Sequence, residues 1–146
     1  MKYGIFTKPI HVEKIVNYLN QYTKIDYIIS TSKEEICAYD YDIGISYCFP
    51  HIINVDDIPW YNYHPAPLQE YPGLMNYACP IRDKVKNFGV TLHRMTNEVD
   101  KGPIIKVRRF KLDSLPVNSN ELGNIAHYHL FQLFKETIRE LGIDED

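Results

Sequence analysis

Three residues in this sequence have side chains whose types and spacing could stabilise a charge and move a proton: Asn62, His64 and Asp100. The first two stand in Asn62-Tyr63-His64-Pro65-Ala66-Pro67-Leu68. An extended strand has a side-chain period of two, so Asn62 and His64 would share one face. An amide N–H held there can donate to an oxyanion as it develops, and an imidazole can give or take a proton near neutral pH. That pairing suits acyl chemistry. Pro65 and Pro67 would stiffen the loop that follows. Asp100 opens Asp100-Lys101-Gly102-Pro103, just ahead of Ile104-Ile105. Its carboxylate could orient His64 or take a proton through water. Gly102 would supply a positive φ or a close backbone approach to a ligand. Read as plain structure, the same residues are a turn cap, a packed loop histidine and the start of a turn.

These groups need elements to hold them in place. Lys2–Thr7 reads as a strand rich in β-formers. Pro9 then starts a helix whose apolar face is Val12, Ile15, Val16 and Leu19. Residues 25–29 read as a second strand, and Ser32 with Glu35 has the form of a capping box for a short helix. Residues 42–49 form a third strand, apolar almost throughout, which suits a parallel strand covered on both faces. The order β-α-β-α-β implies a parallel sheet with right-handed crossovers. Ligands of such sheets bind beyond the carboxyl ends of the strands, so the loops after Thr7, Ser30 and Phe49 are candidate walls of a site.

The second half has a different rhythm. Residues 60–65 read as a short strand running into a Pro-rich loop, 65–73. Residues 75–85 have partly helical character, interrupted by Pro80. Strands are expected at 89–95 and 104–112, with the loop 96–103 between them. The last element is a helix capped by Ser119 or Asn120, with Leu122, Ile125, Ala126, His129, Leu133 and Leu141 near one face. No repeat or linker divides the sequence, so a single domain over 1–146 is expected.

Composition narrows the classes. A chain of 146 residues can bury about 70% of its unfolded surface in one core. A net charge of -3 and a pI near 6.1 argue against a nucleic-acid grip, which shows as a basic stripe. Lys106, Arg108, Arg109 and Lys111 read as solvated strand positions, or at most as contacts to one phosphate. Cys37, Cys48 and Cys79 are odd in number and form no CxxC pair, so they are expected to be reduced and mostly buried. No signal peptide is visible and no apolar run approaches the ~20 residues of a membrane span, which makes the cytoplasm the expected compartment and excludes a membrane partner. His127 and His129, two apart on the final helix, do not face each other and would make poor metal ligands as a pair. His51 is expected on a surface loop.

From Asp42 to Leu112 the sequence resembles the folate-dependent formyltransferase family. Three motifs carry the likeness, in order and at matching spacing: residues 62–73 (NYHPAPLQEYPG), Gly89-Val90-Thr91-Leu92-His93, and Asp100-Lys101-Gly102-Pro103-Ile104-Ile105. The resemblance implies a Rossmann-like α/β fold, an open and mostly parallel sheet flanked by helices, here shortened in its N-terminal half. It implies a 10-formyltetrahydrofolate donor, a small-molecule amine acceptor and no metal. Asn62 and His64 would stabilise the tetrahedral oxyanion, and Asp100 would relay the proton from the attacking amine towards the folate nitrogen. Phe49, Pro50, Pro65, Val99, Gly102 and Pro103 would line the folate site. Thr7, Lys8, Tyr71, Gly73 and His93 would face the acceptor.

The sequence departs from the family pattern in places. Gln69 replaces the usual Pro. After the first strand Thr7-Lys8-Pro9-Ile10 replaces a glycine-rich phosphate loop, which weakens a glycinamide ribonucleotide acceptor. The acidic end of the chain, with no RNA-binding domain in view, does not favour a methionyl-tRNA acceptor. Ala66-Pro67 is closest to members that formylate nucleotide-linked 4-amino sugars. Alternatives are a hydrolase releasing formate, a glycinamide ribonucleotide-type formyltransferase, a non-catalytic ligand-binding relative, and more distantly a metal-dependent hydrolase on His51, His64 and His93. The final helix has enough apolar surface to pair with a second copy.

Overall fold

A computed structural model describes residues 1–55, 57–67, 80, 86–98, 101–112 and 118–141. Within them lie six strands: β1 (Lys2–Thr7), β2 (Asp26–Ser30), β3 (Ile43–Tyr47), β4 (Trp60–His64), β5 (Asn87–Arg94) and β6 (Ile104–Lys111). Two α-helices accompany them, α1 (Pro9–Tyr22) and α2 (Ser119–Thr137). One sheet contains all six strands in the order β2-β1-β3-β4-β5-β6. The pairings β1/β2, β1/β3 and β3/β4 are parallel, and β4/β5 and β5/β6 are antiparallel. The chain leaves β1 towards β2 on one side and returns to β3 on the other. A crevice therefore opens at the carboxyl ends of β1 and β3, where open α/β sheets place ligands.

Alternation along the strands separates two faces. Ile5, Ile45, Tyr47, Tyr61, Tyr63, Val90 and Leu92 belong to the main core with Ile15 and Leu19 of α1 and Leu122, Ala126, Leu130 and Phe134 of α2. Both described helices therefore cover the same face. On the other face Phe6 and Trp60 pack with Phe49 and Ile53, supported by Tyr41 and Ile58. Gly4 and Gly44 make room for that second layer. A Cβ at Gly4 would come within 2.6 Å of the Tyr41 ring, and one at Gly44 would run into the indole of Trp60.

The expected elements are present with adjusted edges. Pro9 opens α1 at its first position, where its missing N–H costs nothing. The buried line of α1 is His11, Ile15 and Leu19, one residue off the expected Val12 and Val16. Asn118, not Ser119 or Asn120, caps α2, its side chain accepting from the Glu121 N–H at 2.9 Å. Leu130, not His129, completes the apolar stripe of α2, because Arg108 of β6 donates to His129 Nδ1 at 3.1 Å and holds that ring at the margin. The helix expected after Ser32 is a single 3₁₀ turn, Lys33–Glu35. Ser32 donates to the Glu34 carboxylate at 2.7 Å, and Ser30 donates to Glu35 at 3.0 Å while accepting from the Ser32 N–H at 3.0 Å, so the Ser32 side chain caps no backbone N–H of the turn. The partly helical stretch 75–85, apart from Pro80, lies outside the described residues. Of the cysteines, Cys37 is exposed, contrary to the expected burial, Cys48 is half-buried, and Cys79 lies outside the described residues. No described helix is long and apolar enough to cross a membrane.

Gly44→Ala is expected to destabilise the fold by about 1–3 kcal/mol, the usual cost of overpacking. The measurement is the urea midpoint of unfolding. Adding Trp60→Leu should recover part of the loss relative to Trp60→Leu alone, and an unchanged midpoint in Gly44→Ala would show that Trp60 does not sit over this glycine.

Candidate active site

Asn62 and His64 point to the same face of β4, the face away from both helices, as the period of two requires. Across the antiparallel seam Asn62 pairs with His93 and His64 pairs with Thr91. That register gives GVTLH its structural content. Thr91 is fully buried, and its hydroxyl donates to the carbonyl of Ala66 at 2.9 Å. This bond ties the turn after His64 to β5. His93 is 2% exposed. Its Nδ1 lies 3.1 Å from the Arg94 carbonyl and its Nε2 lies 3.1 Å from Asn62 Nδ2. A carbonyl can only accept, so Nδ1 carries the proton and Nε2 accepts from the Asn62 amide. One N–H of Asn62 is thereby held, and the plane of its amide is fixed. Opposite the step from Leu92 to His93, β6 carries an extra residue, Ile105, and such a bulge twists the strand pair locally.

The same face opens into a cavity of about 360 Å³. Asn62, His64, Pro65 and His93 form one wall, Phe49, Pro50 and Ile53 another, and Lys8, Ser46 and Cys48 the part under the ends of β1 and β3. Met95, Thr96 and Asn97 close the side towards β6. The Asn97 side chain accepts from the N–H of Val55 at 2.9 Å, joining the two loops that rim the cavity. Cys48 ends β3 with φ 55°, a left-handed conformation rare for a residue with a side chain.

A formyl transferase family model matches residues 50–127, more than half of the chain. The chain belongs to the formyl transferase family. It is 23% identical over 145 residues to the bifunctional polymyxin resistance protein ArnA of Wigglesworthia glossinidia brevipalpis, covering 94% of this chain and 21% of that protein. It is 32% identical over 80 residues to the methionyl-tRNA formyltransferase of Thermotoga neapolitana, covering 55% of this chain and 24% of that one. The chain thus spans about a fifth to a quarter of the length of these curated relatives. Among solved structures, the phosphoribosylglycinamide formyltransferase of Campylobacter jejuni superposes with a TM-score of 0.74 at 18% identity, covering 96% of each chain. The N-formyltransferase of Helicobacter canadensis, in complex with folinic acid and dTDP-3-aminofucose, superposes with a TM-score of 0.67 at 21% identity, covering 95% of this chain and 63% of that one. The formyltransferase fold expected from the motifs is the observed one.

Within this family member the expected site residues divide into three groups. Asn62, His64, Phe49, Pro50, Pro65, Lys8 and His93 all line the one cavity. Thr7, Gly102 and Pro103 do not. Thr7 is buried, its hydroxyl donating to the Tyr47 carbonyl at 2.7 Å inside the sheet. Gly102 lies against backbone: a Cβ there would collide with the carbonyl of Arg94, while the Arg94 N–H donates to the Pro103 carbonyl at 2.8 Å. The close approach expected at Gly102 is therefore to the chain itself, and its φ lies outside the left-handed region. Asp100, Val99, Tyr71 and Gly73 lie outside the described residues. Ser30, at the edge strand, does not line the cavity, whereas His51 does. Ser46 and Cys48 were missed by sequence reasoning. Ser46 stands two residues before Cys48, on the same face as Gly44, and this alternation within DIGISYCF was the available signal.

Beside the cavity, His11 of α1 and His127 of α2 stack with ring centres 5.2 Å apart. Burial, reinforced by the Lys14 cation, holds His11 down to about 3 and His127 down to about 4. Burial likewise pushes the Cys48 thiol up to about 12, against the pull of Lys8 and Lys14. Both histidines are thus neutral in the folded chain and titrate near 6.5 when unfolded. Between those values the unfolded state binds more protons, so the contribution of this pair to stability is fully present above about pH 6.5 and is lost as pH falls through about 4 and 3. In EDTA-containing buffer the denaturation midpoint should decline over that window. His11→Leu should flatten the decline, and an identical slope in that variant would overturn the assignment.

His93→Ala should leave the sheet paired but release the Asn62 amide. Ligand turnover at this cavity is expected to fall about tenfold or more, since a hydrogen bond to an active-site group contributes on the order of 1–2 kcal/mol. His93→Gln, which can accept from Asn62, should recover part of it. Equal activity in all three proteins would remove His93 from the positioning role.

Proposed function

We propose that this protein transfers a formyl group from 10-formyltetrahydrofolate to the amine of a nucleotide-linked 4-amino sugar. The observation that carries the reading is the placement of Asn62 and His64 side by side on one cavity, with the Asn62 amide oriented by His93. In this reading the amine nitrogen attacks the formyl carbon and the carbonyl electrons move onto oxygen. The remaining Asn62 N–H and the His64 imidazole donate to that oxyanion. Asp100 takes the proton from the attacking nitrogen, and a proton reaches N10 of the folate as the bond from carbon to N10 breaks. Phe49, Pro50 and Pro65 offer the flat donor ring an apolar wall. Lys8, at the end of β1, offers a cation to the acceptor's phosphates.

The family membership supports the reaction class, and the sugar N-formyltransferases among structures of the same fold support the acceptor class. A second reading, a glycinamide ribonucleotide-type acceptor, is favoured by one observation: two folds that this chain overlaps along 96–97% of their length are phosphoribosylglycinamide formyltransferases.

The test is a turnover assay with 10-formyltetrahydrofolate and each acceptor, following the folate product and the mass of the acceptor. Formylation of the amino sugar, and not of the ribonucleotide, supports the first reading. The reverse supports the second, and formate release without acceptor would make the protein a hydrolase. Asn62→Ala and His64→Ala should each lower kcat by roughly 10²–10³-fold. Asp100→Asn should do the same, and full turnover in any of the three would remove that residue from the mechanism.

A further inference from the structure

His11 of α1, Cys48 at the end of β3 and His127 of α2 converge next to the cavity. One nitrogen from each ring and the Sγ of Cys48 all lie within 4.8 Å of one another. His11 is buried and the other two are half-buried. Nδ1 of His11 and Nδ1 of His127 are both buried with no hydrogen-bond partner among the described residues. Buried polar atoms nearly always find a partner, so two orphaned imidazole nitrogens beside one thiol call for something that takes lone pairs. The rings are held where they are: His11 packs edge-on against Tyr47 at 5.3 Å and stacks on His127.

We propose that His11, Cys48 and His127 bind a divalent transition-metal ion of the zinc type. Two imidazoles and a thiolate are the donor set such an ion prefers, whereas magnesium and calcium require oxygens. Tetrahedral coordination would bring the three donor atoms to roughly 3.5 Å from one another, a closure within reach of side-chain torsions. Three protein ligands leave a fourth position open. Cys48 releases its S–H proton to solvent on binding, and the thiolate offsets part of the ion's charge. Lys8 and Lys14 both act on Cys48 and oppose the ion, which places its affinity below that of cysteine-rich structural sites. The sequence pointed away from this site because His127 and His129 cannot ligate together. The partner of His127 comes from α1 instead. The proposal does not rest on the formyl-transfer reading, and no step of that reaction passes through the ion.

The experiment is a cobalt(II) titration of the full chain after chelation, read by the thiolate-to-cobalt charge-transfer band and by equilibrium dialysis. One ion per chain and a charge-transfer band are expected. The band should persist in the double variant Cys37→Ser/Cys79→Ser, where Cys48 is the sole thiol, and vanish in Cys48→Ser. His11→Gln and His127→Gln should each weaken binding by at least about tenfold, with circular dichroism confirming that the variants fold. Absence of the band from the double variant, or its survival in Cys48→Ser, would overturn the site. The first of these needs no folded Cys48 variant.

Discussion

The antiparallel pairing of β4 with β5 is the constraint on which the site depends. Its register sets Asn62 opposite His93 and His64 opposite Thr91. A slip by one residue would turn every one of these side chains towards the helices. Tyr61, Tyr63, Val90 and Leu92 prevent the slip, because each is buried on the helix side and would be driven into the polar cavity. The aromatic core therefore does more than exclude water. It fixes which face of two strands carries the polar groups, and the imidazole of His93 then converts that placement into an oriented amide.

The opposite faces of the sheet are built on different terms. The helix side is filled by large side chains, with Tyr47, Tyr63 and Phe134 meeting at ring-centre distances of 5.3–5.7 Å. The Tyr63 hydroxyl, deep in that layer, lies 2.8 Å from the Thr137 hydroxyl, so its polar end is not stranded. The cavity side is built by subtraction. Gly4 and Gly44 let aromatic rings lie on the backbone, and the loop carrying Phe49 and Ile53 folds over them to form one wall. A pocket beside a packed sheet needs this asymmetry, since a surface filled on both sides leaves no room for a ligand.

Much of this was legible in the residues. Period two placed Asn62 and His64 together, Pro9 marked the start of α1, and the continuous apolar run at β3 marked a covered parallel strand. Three kinds of information were not legible. Local side-chain bonds overrode a helix signal, as Ser30 and Ser32 spent their hydroxyls on Glu35 and Glu34 and left one 3₁₀ turn. Tertiary partners moved helix stripes by one position, bringing His11 inward for Tyr47 and His127 and drawing His129 outward to Arg108 and the Phe110 ring. Strand pairing was hidden as well. The alternation in GVTLH announces a strand, but its neighbour and direction depend on long-range contacts that no local pattern contains. Hence His93 reads first as a sheet residue, and in the fold it pairs in the sheet and also lines the cavity.

The outermost strand has a consequence for how the protein behaves in crowded solution. Among the described residues β6 is the terminal strand of the sheet on this side, and Lys106, Arg108, Arg109 and Lys111 stand along its eight residues. Glu136 of α2 engages Lys106 at 3.1 Å and Arg108 at 2.5 Å. A terminal strand's backbone donors and acceptors invite another β-strand to continue the ladder, and a row of like charges makes an identical strand the least welcome guest. The same row is a weakness at high ionic strength, where screening shortens the reach of each charge. Aggregation through this margin should therefore be promoted by salt, unlike aggregation driven by net charge near the isoelectric point, which responds chiefly to pH.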